Sequence, residues 1–235
     1  MHLSCSPYPV SPSTAYRSKG FYMLKGTPIE TGYYRFLERY LVPALILMKL
    51  TPNHISMAGL VASIMAGAAF VVSPVWGGLL TLLTGLLDTL DGSLARSLGQ
   101  TRKFGAFLDS VLDRYTELII YIGIWCYFYR QGETTPFFSL TILLILFGSL
   151  MVSYTRARAE GLGVRCLVGF FQRGERIILI GLSGIFNSVF NGLFHPAASH
   201  WSRDIVLSIA LLLLAVGTNL TALWRFLHVL NSLRR

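Results

Sequence analysis

Residues 88–113 read DTLDGSLARSLGQTRKFGAFLDSVLD, and they set four carboxylates, Asp88, Asp91, Asp109 and Asp113, into sequence that is otherwise apolar enough for a membrane. Asp88 and Asp91 are three residues apart and Asp109 and Asp113 four apart, so on helices each pair projects from one face. Two such helices facing one another bring all four acids to one point. Four uncompensated anions cannot share a low-dielectric site, because burying each one unpaired costs several kcal/mol. A positive charge has to sit among them. The cluster offers oxygen and neither thiolate nor imidazole, which suits hard divalent cations such as Mg²⁺, Mn²⁺ or Ca²⁺.

The residues between the acids refine this reading. Gly92 and Ala95 share a face and carry almost no side chain, so a bulky ligand or a second helix can approach the backbone there. Arg96 supplies a fork suited to phosphate or carboxylate. Metal, phosphate and a flat group lying against glycine together suggest an activated nucleotide.

Written as spacing, the stretch is D-x2-D-G-x2-A-R-x8-G-x3-D-x3-D, with Gly105 as the later glycine. In this form it resembles, without a departure, the signature of the CDP-alcohol phosphotransferase family. The resemblance implies a six-helix membrane enzyme that moves a phosphatidyl-type group from a CDP-linked lipid donor to an alcohol and releases CMP. It implies Asp88, Asp91 and Asp109 as metal and nucleotide ligands, and Asp113 as base, metal ligand or both. Carried over position by position, Asp88, Gly92, Ala95, Arg96, Gly105 and Asp109 face the CDP group, two Mg²⁺ or Mn²⁺ ions sit among the acids, and the chain pairs as a homodimer.

Outward from the motif, the whole chain has membrane character. It has 235 residues, 53% hydrophobic and only 13% charged, with a mean hydropathy of +0.57, which is too apolar for an ordinary soluble domain. The net charge of +9 is spread over several short loops; a nucleic-acid partner is therefore not expected, and anionic lipid headgroups are the better counterpart. Cys5, Cys126 and Cys166 are odd in number and lack a C-x2-C pattern, so neither a disulfide framework nor a zinc site is indicated.

The expected architecture is all-α and polytopic. Residues 1–30, rich in Ser, Pro, Tyr and Gly, read as a flexible tail. Residues 31–50, TGYYRFLERYLVPALILMKL, mix charge with aromatics around Pro43 and read as an amphipathic helix at the interface. Residues 51–235 read as the transmembrane domain, with Asn53 as a possible helix cap and six spans near 54–73, 75–97, 104–129, 137–160, 172–191 and 204–228. With a cytoplasmic N-terminus in an inner membrane, most Lys and Arg, including Arg102, Lys103, the stretch from Arg158 to Arg173, and Arg234 and Arg235, fall inside. Only Arg130 and Arg203 fall outside. That asymmetry obeys the positive-inside rule, puts both termini in the cytoplasm and sets the acids near the cytoplasmic face.

A second polar stretch, SYTRARAEGLGVRCLVGFFQRGERI, carries Arg156, Arg158, Arg173 and Arg176, whose forks suit the phosphate of an anionic acceptor. Its R-A-R-A-E and G-E-R pieces are similar to those of family members that use inositol phosphate. Glycerol phosphate, serine, phosphatidylglycerol and diglyceride acceptors are the other choices that the resemblance leaves open. Outside it, two further readings of paired intramembrane acids stand: a prenyltransferase holding metal-bound diphosphate, and a cation-coupled transporter. A purely structural reading would pair the acids with the cations close to them in sequence, Arg96, Arg102, Lys103 and Arg114.

Overall fold

The computed structural model describes residues 28–99, 103–194 and 204–234, and the regular elements among them are all helical. An N-terminal arm consists of α1 (Pro28–Phe36), a π-helical turn (Leu37–Leu41) and α2 (Val42–Leu47); the bundle consists of α3 (Pro52–Val72), α4 (Pro74–Ser97), α5 (Lys103–Arg130), α6 (Pro136–Gly161), α7 (Arg173–Phe194) and α8 (Ile205–Leu233). The bundle helices begin and end within a turn and a half of the expected spans. Most of the expected tail, and Arg102, Arg203 and Arg235 of the charge argument, lie outside the described residues.

Proline punctuates the chain. Pro52, Pro74 and Pro136 each stand in the first helical positions of α3, α4 and α6, where a missing N–H costs nothing. The cap of α3 is Thr51 and not Asn53: the Thr51 hydroxyl accepts from the His54 N–H at 3.4 Å, and His54 Nδ1 accepts from the Thr51 N–H at 3.4 Å. Pro52 favours the position just inside the helix, which leaves Thr51 outside as its cap. Pro43 does not break the arm. It enters α2 directly after the π-helical turn, and the wider turn absorbs the conflict between the proline ring and the preceding carbonyl.

Among the described residues four helices, α3, α6, α8 and the Arg173–Leu193 part of α7, are long and apolar enough to cross a membrane. The acid motif charges α4 and α5, which have 24 and 28 residues. Glycines let the helices approach closely. A Cβ on Gly67 of α3 would lie 2.7 Å from the Ile119 carbonyl oxygen of α5, and one on Gly78 of α4 would lie 2.5 Å from the Gly181 carbonyl oxygen of α7. Close backbone approach is how helices pack where lipid removes the usual hydrophobic drive.

One core runs through the bundle, with Phe70, Ile124, Phe128, Ile145, Ile180, Leu207, Leu211 and Leu214 fully or almost fully buried. A second core, around Leu37, Val42, Ile55, Leu90 and Leu94, seats the arm on α3 and α4. Helix α3 packs on both α4 and α5, and α4 packs on α7, yet α4 and α5 barely touch each other. The gap between them is where the acids point.

Candidate active site

Asp88, Asp91 and Asp109 each present a carboxylate oxygen within 4.8 Å of the others. They line a pocket together with Asp113, Ser56, Gly59, Leu60, Thr84, Leu112, Thr116 and Arg173. Helix α4 supplies the first two acids, α5 the other two, α3 one wall and α7 the other. Asp91 is buried, and its carboxylate accepts from the Ser56 hydroxyl at 2.6 Å. Ser56 was not singled out in the sequence; it lies one turn into α3, and only folding brings it against Asp91.

The counter-charge comes from far along the chain. Arg173, the first residue of α7, pairs directly with Asp88, lies 2.7 Å from Asp113 Oδ1 and 4.0 Å from Glu117 Oε1, and donates to the Thr116 hydroxyl at 3.1 Å. Of the cations near the acids in sequence, Arg114 reaches Asp113, at 3.4 Å. An arginine at the start of a helix opposes the helix dipole, so the carboxylates of two other helices are what hold Arg173 there. Glu117 extends the i, i+4 ladder of Asp109 and Asp113 by one more turn, a pattern legible in the sequence but not read from it.

The four arginines expected around an acceptor are not gathered at one point. Arg173 is in the acid pocket. Arg176 turns into the bundle, buried, with Glu117 Oε1 at 2.5 Å and the Phe171 carbonyl at 3.0 Å. Arg156 pairs with Glu160 on its own helix at 2.8 Å, and Arg158 is exposed. Arg225, unremarked in the sequence, is buried and donates to the carbonyls of Val168 at 2.8 Å and Val152 at 2.7 Å. It thereby ties α6 and the 162–172 segment to α8. A lone arginine in the apolar run of α8 was the available signal, since an intramembrane charge demands a partner.

Of the residues expected to face a nucleotide, Gly92 and Ala95 are half-buried and Arg96 is exposed. Arg96 Nη2 donates to the Ser93 hydroxyl at 3.0 Å, and its guanidinium carbon stands 5.7 Å from the Tyr34 ring centre. Its Nη1 would lie 3.4 Å from a Cβ on Gly92, whereas a Cβ on Gly105 would meet nothing within 4 Å.

The residues present fit a hard divalent ion. Every ligand atom the three-acid cluster offers is a carboxylate oxygen, and these oxygens all lie within 4.8 Å of one another, close to the span of an octahedral oxygen shell about Mg²⁺. Small side-chain movements would close the acids on one ion. Such an ion would be bound from carboxylates of α4 and α5, the two helices that scarcely touch otherwise.

Carboxylates from two helices that could hold a divalent ion, with a guanidinium in the same pocket wall, suit metal-assisted phosphoryl transfer. Residues 49–216 match the family model described as CDP-alcohol phosphatidyltransferase, and the chain belongs to that family. It is therefore a transferase of substituted phosphate groups. Among curated proteins it is 37% identical over 199 residues to the archaetidylinositol phosphate synthase of Methanothermobacter thermautotrophicus, covering 84% of this chain and 92% of that one. It is 33% identical over 190 residues to the phosphatidylinositol phosphate synthase of Cutibacterium acnes, covering 79% and 88%. Among solved structures, it resembles the Mycobacterium tuberculosis phosphatidylinositol phosphate synthase with CDP-DAG bound, at 29% identity and a TM-score of 0.69 over 82% of this chain and 93% of that one. The same enzyme in complex with manganese and citrate aligns at 29% identity and a TM-score of 0.68 over 80% and 87%.

Proposed function

We propose that this chain transfers the lipid-side phosphoryl group of a CDP-linked lipid to an inositol phosphate, releasing CMP. The names of the relatives support that acceptor, and one feature of the site carries it: Arg173 brings a guanidinium into the wall of the acid pocket, beside Asp88 and Asp113. A guanidinium fork matches a phosphate monoester, so an acceptor that carries its own phosphate would be drawn to the acids. Arg176 steadies Glu117 and the start of α7.

Mg²⁺ or Mn²⁺, held by Asp88, Asp91 and Asp109 with Asp113 completing a two-ion set, would neutralise charge on the diphosphate. The nucleotide lies along Gly92, Ala95 and Gly105, of which Gly105 is open to it, and Arg96, standing over Gly92, forks a phosphate. Asp113 accepts the proton of the attacking hydroxyl as the new oxygen–phosphorus bond forms. The bond to the CMP oxygen breaks, and CMP leaves with the electron pair.

We read α3 to α8 as six spans, residues 51–235 as one transmembrane domain, and the arm within 31–50 as lying on the membrane surface. The basic residues support an orientation: Arg35, Arg39, Lys49, Lys103, Arg156, Arg158 and Arg165 belong to the motif end, against Arg130 at the other among the described residues. By the positive-inside rule this end, with both termini, faces the cytoplasm of an inner membrane. Phe104, Phe107, Val111, Tyr115, Leu118 and Ile122 form an exposed ridge along α5, which would seat a second copy in a homodimer.

The test is to supply purified protein with CDP-diacylglycerol, Mn²⁺ and, separately, inositol phosphate, glycerol phosphate, free inositol and a diglyceride, and to weigh the lipid product. Inositol phosphate is expected to be the acceptor used. Product only with glycerol phosphate or diglyceride would overturn the acceptor; no CMP with any acceptor would overturn the reading altogether.

A further inference from the structure

Helix α4 carries a third stripe besides its acids and its buried leucines. Thr89, Ser93 and Arg96 succeed one another at helical spacing, and all three are engaged at the side of the helix where the arm packs. The Tyr33 and Thr89 hydroxyls lie 2.7 Å apart. Arg96 donates to Ser93 at 3.0 Å and lies over the Tyr34 ring at 5.7 Å, within the range of a cation–π contact. The arm is not loosely draped there, since Leu37 and Val42 are buried with Ile55, Leu90 and Leu94 in a common core.

The consequence for Arg96 is geometric. An exposed arginine ordinarily samples many rotamers and loses that freedom when it binds. Here the ring on one side and the Ser93 hydroxyl on the other hold the guanidinium back along Gly92, where Nη1 would stand 3.4 Å from a Cβ. Gly92 and Arg96 belong to the stretch read as the donor's seat. Thr89 neighbours Asp88, so the Tyr33 hydroxyl steadies the same turn that carries the first acid.

We infer that Tyr34, with Tyr33 beside it, is a positioning residue for the donor: the arm pre-orients Arg96 for the diphosphate, so the arm belongs to the active site. This rests on the proposed function. Tyr34 touches no reacting atom; it acts through Arg96, and its effect belongs in the donor KM. Removing one partly exposed cation–π contact is expected to raise that KM roughly two- to fivefold, with kcat and the acceptor KM unchanged.

The experiment compares Tyr34→Leu, Tyr34→Phe and Tyr33→Phe in full-length protein, alone and in an Arg96→Gln background, by donor KM and by the melting-temperature rise that CDP-diacylglycerol produces with Mn²⁺. Tyr34→Leu should weaken both readouts, Tyr34→Phe should restore them because it keeps the ring, and Tyr34→Leu should add nothing once Arg96 is Gln. Equal losses in both backgrounds, or a Phe variant as weak as Leu, would overturn the inference, since a merely structural tyrosine behaves that way. If the wild-type protein binds CDP-diacylglycerol and Tyr34→Leu binds it as well, the inference alone fails. If the wild-type protein does not respond to it, the proposed donor fails and the inference falls with it.

Discussion

Two places in this bundle enclose aspartates, and they are built on opposite plans. At one end Asp204 is 1% exposed and wrapped in neutral donors: the Tyr127 hydroxyl at 3.0 Å, Asn187 Nδ2 at 2.5 Å and Asn191 Nδ2 at 3.2 Å. Asn187 in turn accepts from the Leu207 N–H at 3.2 Å, so α5, α7 and α8 are joined through one anion. At the other end Asp88, Asp91, Asp109 and Asp113 crowd an open pocket whose positively charged partners among the described residues are Arg173 and Arg114. A carboxylate saturated by neutral hydrogen bonds needs nothing more and fixes the fold. Carboxylates gathered with too few donors repel one another, and their arrangement makes sense when cations join them.

The two plans separate function from stability. Asp113→Asn, which removes the proposed base, is expected to lower the rate of CMP release by about 10²- to 10⁴-fold. Asp109→Asn should lose comparable activity yet keep or raise the melting temperature in detergent, because it relieves repulsion among the acids. A drop of many degrees for Asp109→Asn would mean that this cluster, too, is structural.

Asp204→Ala should behave in reverse. It strands three donors, two of them buried, and hydrogen bonds to a charged group are worth about 1.5–3 kcal/mol each, so thermal unfolding should fall by several degrees. The CMP release rate of the protein that stays folded should remain within about twofold of wild type, because Asp204 lies outside the acid pocket. A selective loss of rate without loss of stability would place chemistry at the wrong end of the molecule.

The helices were legible because apolar runs and prolines at 52, 74 and 136 mark their bounds with local signals. The pairing of Asp88 and Asp91 with Asp109 and Asp113 was legible for the same reason, since helical spacing alone sets each pair on a face. What escaped was tertiary. Ser56 and Arg173 are separated from the acids they touch by 35 or more residues, and no periodicity joins them. The arginines were a harder case: all four occupy the expected stretch, but whether a fork turns to the pocket, as Arg173 does, or into the bundle, as Arg176 does, depends on which face of α7 meets α5. The π-helical turn before Pro43 likewise reflects how the arm settles on α4.

Glycine gives the smallest effect and the finest distinction between the two kinds of site. Gly67 and Gly78 are held by packing, because a Cβ would strike a neighbouring backbone carbonyl. Gly105 has nothing within 4 Å of where its Cβ would be, so the protein itself has no need of glycine there. In a helix Ala is favoured over Gly by about 1 kcal/mol, and Gly105→Ala should therefore raise the melting temperature slightly. If the nucleotide approaches this backbone, the same added methyl must raise the KM for CDP-diacylglycerol while the acceptor KM stays fixed. Stabilisation together with a weaker donor would mean that the glycine serves the ligand; stabilisation with an unchanged donor KM would remove Gly105 from the site and leave Gly92 and Ala95 as the surface the nucleotide meets.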